Sequence, residues 1–229
     1  MKNVLITGAS RGVGLALSQR FLSEGHAVFC TSRDIRKLKL LQNDYPDSCK
    51  PYQLDLNEEE SIVFFADAIT RMNVSFDIVI HNSGAIVNKA FQEISQKELL
   101  YTYAVNVLGP YQLTQKLIPL LSVGAHVVFI SSMGGFQGTQ KFAGLTAYSS
   151  SKAAVASLTE CLQEEFKESD IAFNCLCLGA VQTEMLQNAF PGYQAPLNPE
   201  QMSDYIYQFS TTANRFLKGK IIPVSLSTP

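Results

Sequence analysis

Short apolar runs alternate along the chain with longer stretches in which apolar residues recur every three or four positions. The strand-length runs are Lys2–Thr7, Ala27–Thr31, Lys50–Leu54, Asp77–His81, Ala125–Ser131, Ile171–Leu178 and Lys220–Val224. They are rich in Val, Ile and Phe and mostly apolar at every position, the pattern of strands covered on both faces of a parallel sheet. Helical patterns lie between them at Gly12–Glu24, Asp34–Asp44, Glu58–Met72, Gln96–Leu121 and Tyr148–Glu168. This alternation predicts right-handed βαβ crossovers and an α/β, doubly wound, mostly parallel sheet with helices on both faces. Nothing reads as a linker, repeat or low-complexity tract, so residues 1–229 are expected to form one domain. The least regular stretch runs from Thr183 to Pro199 and contains FPGYQAPLNP. After a late strand, such a segment can lie over the ligand crevice.

Composition narrows the picture only slightly. The chain is 46% hydrophobic and 17% charged, ordinary for a globular protein. A formal net charge of −2 gives no electrostatic reason to expect nucleic acid or an anionic membrane as partner. MKNVLITGAS enters an apolar run and a glycine turn directly, unlike a signal peptide. No apolar stretch approaches the roughly 20 residues of a membrane span. A cytoplasmic protein is the expectation. The five cysteines, Cys30, Cys49, Cys161, Cys175 and Cys177, are odd in number and include no C-x-x-C pair. They read as reduced thiols used as small hydrophobes, with no metal site. His26, His81 and His126 each sit at or beside a strand and form no cluster, so they read as structural. Glu58–Glu60 begin a helix, where carboxylates suit the positive end of the dipole.

Two local patterns carry chemistry. The first is TGASRGVG, where Gly8, Gly12 and Gly14 fall between the first strand and the first helix. Glycine there permits unusual φ values and close approach of a pyrophosphate, and the helix N-terminus offers free N–H donors. A tight turn without a ligand is the alternative. The second is YSSSK, in which Tyr148 and Lys152 sit one helical turn apart, on one face. A free phenol has a pKa near 10, and a nearby ammonium favours the phenolate. Lys152 could therefore bring Tyr148 into range as an acid–base group, although a Tyr–Lys pair at this spacing also arises by chance.

The spacing G-x-x-x-G-x-G at the first turn resembles the short-chain dehydrogenase/reductase family. Further matches follow in that family's order: HNSG with Asn82 and Gly84, Asn106 in NVLGPYQLT, the pair Ser131–Ser132, YSSSK, and LGAVQTEM with Gly179 and Thr183. The resemblance covers nearly the whole chain and implies a Rossmann-like fold. It implies that Gly8, Ser10, Arg11, Gly12, Val13, Gly14, Asp55, Asn82, Gly84, Tyr148, Lys152 and Thr183 hold a nicotinamide dinucleotide. Asp55 would sit beside the adenine; a strand-end turn role is its alternative. At the end of the second strand, CTSRD puts Ser32 where an NAD enzyme usually has an acid, followed by Arg33. Serine and arginine suit a 2′-phosphate, with Arg11 as a second cation, so NADP is the expected cofactor. Asp34 opposes this, but reads better as the N-cap of the next helix.

The resemblance implies hydride transfer between NADP(H) and a carbonyl or secondary alcohol. Tyr148 would exchange the proton, Ser132 (rather than Ser131) would polarise the oxygen, and Lys152 would hold the nicotinamide ribose. Asn106 would hold a relay water; stabilising a helix kink is its alternative. A 3-oxoacyl-carrier-protein reductase and a non-catalytic NADP(H) sensor are the rival functions. No basic cluster near residues 180–215 favours the carrier reading, and the presence of both Tyr148 and Lys152 disfavours the sensor. Family members commonly form homodimers or homotetramers through the fourth and fifth helices, where Ala153, Ala154, Ala156 and Ser157 would allow close packing. Three departures stand out. The fifteen residues MGGFQGTQKFAGLTA between Ser132 and Tyr148 exceed the common pattern, with Phe136 and Phe142 as candidate pocket walls. Leu178–Gly179 replaces the usual Pro-Gly, and the lid from Thr183 to Thr211 is short.

Overall fold

The computed structural model describes residues 1–226. Seven strands form one sheet in the order β3-β2-β1-β4-β5-β6-β7. They are β1 (Asn3–Thr7), β2 (Ala27–Ser32), β3 (Cys49–Gln53), β4 (Phe76–His81), β5 (Leu121–Ser132), β6 (Ala172–Leu178) and β7 (Ile221–Val224). Every pairing is parallel. The helices are α1 (Gly12–Ser23), α2 (Arg36–Asp44), α3 (Glu59–Arg71), α4 (Gln96–Tyr103), α5 (Gly109–Leu117), α6 (Thr146–Glu165), α7 (Glu184–Ala189) and α8 (Pro199–Thr212). The fold is the expected Rossmann-like α/β fold. The strand order reverses between β1 and β4, and a ligand crevice belongs beyond the carboxyl ends of the strands at that point.

Strand residues alternate between two apolar clusters with the period-2 pattern of a pleated strand. Val4 and Ile6, Ile78 and Ile80, Val128 and Ile130, and Leu176 pack with α1, α2 and α8. Leu5, Val79, Val127, Phe129, Phe173, Cys175 and Cys177 face α3, α5 and α6. Full burial of such an aliphatic or aromatic side chain is worth about 1.5–3 kcal/mol each. All five cysteines are free thiols, and only Cys161 is exposed. Among the described residues, no helix is long and apolar enough to cross a membrane.

The structure departs from the sequence pattern in four places. The single helix expected over 96–121 is broken by a π-helical turn at Ala104–Leu108, which contains Asn106. Strand β5 begins at Leu121, four residues early. Its pairing with β4 jumps from Phe76↔Leu121 to Ile78↔His126, and Gly124 in the intervening bulge has φ +78°. Helix α2 starts at Arg36, so Asp34 is not its N-cap residue; Asp34 still accepts from the Arg36 backbone N–H at 3.0 Å. Finally, the stretch expected to be irregular contains α7, and α8 follows it. Helix α8 buries Met202, Ile206 and Phe209 against α1 and opens on an Asn198–Gln201 capping box with Pro199 in its first turn.

The histidines are packing residues. His81, at the end of β4, stacks on Phe129 with ring centroids 4.7 Å apart, and its Nε2 lies 2.9 Å from Thr114 Oγ1. His126 bridges the Ser210 carbonyl at 3.0 Å and Asn174 Nδ2 at 2.9 Å. Burial pushes His81 down to about 3 and His126 down to about 4, the latter opposed by its backbone hydrogen bond. Both are neutral when folded, and the unfolded chain binds more protons below pH 6.5. Stability therefore falls as pH drops from about 6.5. By pH 4 each histidine is expected to remove about 3 kcal/mol. Thermal melts across that range check this; His126→Asn, a neutral replacement, should flatten the slope.

Candidate active site

A cleft of about 900 Å³ opens at the carboxyl ends of the strands, large enough for a dinucleotide and a second small molecule. Its floor is the β1–α1 turn. Gly8 and Gly12 have φ of +69° and +53°, values that favour glycine. Gly14 is required for a different reason: a Cβ there would lie 2.3 Å from the Gly8 oxygen and 2.5 Å from Asn82 Nδ2. Asn82 is the clamp of this turn, donating to the Thr7 carbonyl at 2.9 Å and the Gly8 carbonyl at 3.3 Å. Arg11, at the N-cap of α1, supplies no side-chain cap, and Gly12, Val13 and Gly14 line the cleft. The first-turn N–H groups are thus left for an anion, and this cradle fits a dinucleotide pyrophosphate.

Cations gather where β2 ends. Arg33 reaches across to Tyr101 on α4, Nη1 to Oη 2.8 Å. Arg11 lies 3.3 Å from Glu184, and Lys37 lies 3.9 Å from the same carboxylate. Asp34 is held by Arg36, whose guanidinium pulls its carboxyl down to about 2. Ser32 donates to the Asp34 carbonyl at 2.5 Å, and Asp55 accepts from the Asn57 N–H at 3.0 Å in a strand-end turn. Arg11, Ser32, Arg33, Lys37 and Asp55 all line the cleft.

At the other end stand Tyr148 and Ser132. Tyr148 is in the first turns of α6; burial raises its phenol above the ordinary value, and a hydrogen bond with Ser132 pulls it back. Ser132 also accepts from the Gly134 N–H at 3.2 Å. Lys152 is only 4% exposed. It donates to the Ile130 carbonyl at 2.8 Å, and its Nζ lies 5.9 Å from the Tyr148 ring centroid. Burial pulls its ammonium down to about 8, against the opposing effect of Cys175 and Cys177. In the protein alone burial, and not Lys152, sets the direction of the Tyr148 shift; the Lys152 ammonium donates to the Ile130 carbonyl instead.

Ser131 is structural. Its hydroxyl donates to the Lys152 carbonyl at 2.7 Å and pins α6 to β5. Asn106 does not line the cleft but lies behind it, 1% exposed. Its amide accepts from the Ala85 N–H at 2.7 Å and donates to the Ala85 carbonyl and to Ser151 Oγ, both at 2.9 Å. It thereby ties the β4 loop to α6. Gly84 lies between Lys152 and Asn106: a Cβ there would sit 3.5 Å from Lys152 Nζ and 3.6 Å from Asn106 Oδ1. The remaining expected residues, Ser10 and Thr183, line the cleft, and Thr183 caps α7 by accepting from Leu186 N–H at 3.2 Å. Phe142 lines the cleft as expected, whereas Phe136 packs into the core beside α6.

Several contributors have no clear mark in the sequence. Gly135 packs on the start of α6, where a Cβ would lie 2.6 Å from the Lys152 carbonyl carbon. Asn88 joins the walls of the substrate end. It donates to the Ala189 carbonyl at 2.7 Å, and the adjacent Lys89 N–H bonds the Gly144 carbonyl at 3.0 Å. Lys37 had a signal, a cation four residues past Arg33 at a helix start.

A glycine-turn cradle that fits a pyrophosphate thus faces a tyrosine, a serine and a buried lysine across one cleft. The family model for short chain dehydrogenases matches residues 2–194, and the chain belongs to that family. It is 32% identical over 202 residues to a dehydrogenase/reductase SDR family protein 7-like of Drosophila melanogaster, covering 83% of this chain and 60% of that protein. The chain thus spans less than two thirds of that relative's length. It is 25% identical to a 3-oxoacyl-[acyl-carrier-protein] reductase of Aquifex aeolicus, over 96% of this chain and 94% of that one. A short chain dehydrogenase of Shigella flexneri, solved in complex with NADP, superposes with a TM-score of 0.88 at 26% identity, covering 97% and 96% of the two chains.

Proposed function

We propose that this oxidoreductase transfers a hydride between NADP(H) and an uncharged carbonyl or secondary alcohol, with Tyr148 exchanging the proton. One observation carries the reading. Tyr148, beside Ser132 and backed by the buried Lys152, opens onto the same cleft as the glycine turn and its cations. When bound, the nicotinamide supplies or accepts the hydride at the carbonyl carbon. The glycine turn and the α1 N-terminus hold the pyrophosphate, Arg11, Arg33 and Lys37 favour a 2′-phosphate, and Lys152 holds the nicotinamide ribose. Ser132 donates to the substrate oxygen. Tyr148, kept as the phenol by burial, gives that oxygen its proton as the carbinol forms, and takes one back in the oxidative direction. Lys152 and Asn106, on either side of Gly84, support resupply of that proton. The cation set supports NADP over NAD.

The substrate end is lined by Gln140, Phe142, Leu145, Leu186, Phe190 and Tyr193, none of them charged. Lys141 turns its ammonium to the Phe136 carbonyl at 2.6 Å. This wall suits an apolar or aromatic ketone, aldehyde or quinone. Likeness to the Aquifex reductase favours a second reading, reduction of 3-oxoacyl thioesters on a carrier. The protein acts as a homodimer or homotetramer, with Leu100, Leu108 and Tyr111 presenting an exposed apolar face on α4–α5 beside the small outward residues Ala153 and Ser157 of α6.

Fluorescence titration tests the cofactor. NADPH is expected to bind at least about ten-fold more tightly than NADH, since a charge-assisted hydrogen bond contributes about 1.5–3 kcal/mol. Tighter binding of NADH would overturn the roles of Arg11 and Arg33. An NADPH-oxidation screen of neutral ketones, aldehydes and quinones against their carboxylated analogues and 3-oxoacyl thioesters separates the substrate readings; turnover confined to the thioesters selects the second.

A further inference from the structure

Glu184 is the first residue of α7. Its carboxylate lies 3.3 Å from Arg11 in the glycine turn and 3.9 Å from Lys37 on α2. One acidic group thus joins three elements across the mouth of the cleft that all three side chains line. These side chains are 56%, 49% and 60% exposed, so the pairs are weak and exchangeable. Helix α7 does not depend on the acid for its start, because Thr183 supplies the cap. Arg33, the third cation of the group, is held by a neutral phenol, Tyr101. Glu184 is therefore the carboxylate that faces two of the three cations at this end of the cleft.

We propose that Glu184 is a cofactor-selecting residue: its carboxylate competes with the 2′-phosphate of NADP(H) for Arg11 and Lys37 and restrains the preference for the phosphorylated dinucleotide. This rests on the NADP(H) reading above. A dianionic phosphate beside Arg11 both takes its partner and repels the Glu184 carboxylate, so the ion pairs must open. NADH carries no group at that position and leaves them closed. The opposition thus falls on one cofactor and not the other. It also couples the two ends of the cleft, because Leu186, two residues further along α7, lines the substrate end. Binding of the phosphorylated form frees α7 from the glycine turn, and binding of NADH leaves it tethered.

The test is direct binding, without turnover. Dissociation constants of NADPH and NADH are measured by fluorescence for the wild type and Glu184→Gln, an exposed and nearly isosteric change. The variant is expected to bind NADPH roughly three- to ten-fold more tightly, as two weak surface pairs no longer compete, with NADH changed less than about two-fold. Adenosine 2′-monophosphate should gain in the same way and adenosine 5′-monophosphate should not. In an Arg11→Gln background, the gain from Glu184→Gln should shrink. Equal gains for NADPH and NADH would make Glu184 a general repulsive charge and overturn the proposal, as would unchanged or weakened NADPH binding. A wild type that prefers NADH would instead overturn the NADP(H) reading itself, whatever the variant does.

Discussion

Tyr148→Phe is expected to lower carbonyl turnover by roughly 10²- to 10⁴-fold, the usual contribution of a positioned acid–base group. The substitution removes one oxygen and keeps the ring, so the packing of α6 on β5 persists. That packing rests on groups the mutation leaves alone: the Ser131 hydroxyl on the Lys152 carbonyl and the Lys152 ammonium on the Ile130 carbonyl. NADPH affinity should therefore stay within about two-fold of wild type, and the loss should fall on kcat. Steady-state NADPH oxidation with parallel fluorescence titration measures both. A variant that turned over at the wild-type rate would assign the proton to another group.

Gly14→Ala should act at the opposite end and through a different parameter. The added methyl would meet the Gly8 carbonyl oxygen at 2.3 Å and the Asn82 amide at 2.5 Å. Neither neighbour is a flexible tip. The Gly8 oxygen is backbone, and Asn82 is fixed by its two hydrogen bonds to the turn. The turn must move off α1, at a cost of about 1–3 kcal/mol, and the pyrophosphate cradle is distorted with it. A lower melting temperature and at least about ten-fold weaker NADPH binding are the expected results. Gly25→Ala is the control. Its φ of +78° strains the backbone, but no atom lies within 4 Å of the added methyl, so it should lower stability and leave cofactor affinity unchanged. Wild-type affinity in Gly14→Ala would remove the cradle from the explanation.

The central strands were the most legible part of the fold, because burial on both faces makes β1, β4 and β6 largely apolar, whereas the edge strands β3 and β7 are only partly buried. Their ends and neighbours were less so. Helix α8 was missed although N-P-E-Q opens it with a proline and a capping box; the irregular run before it hid the start. The π turn could not be read, since it coincides with Asn106, whose amide bonds Ala85 and Ser151, residues remote in sequence. The glycine turn and the Tyr148–Lys152 spacing were legible as local patterns. The division of labour within them was not. Ser131 and Ser132 are adjacent and chemically alike, and only the pleat of β5 turns one toward the α6 backbone and the other toward Tyr148. Asn82 reads from the sequence as a cofactor-binding residue; it lines the cleft, and its bonds to Thr7 and Gly8 also clamp the turn.

That clamp has a kinetic meaning. Asn82 meets Thr7 across 75 positions of chain, where β4 pairs with β1 and the sheet reverses its order. Contacts this remote form late, after the loop entropy between them has been overcome. A chain whose β4 has not yet docked already contains every glycine of the turn, but nothing holds them in shape. Dinucleotide capture then becomes possible only when the two halves of the sheet have joined, so the cofactor is a ligand for the completed fold and not for its first βαβ unit.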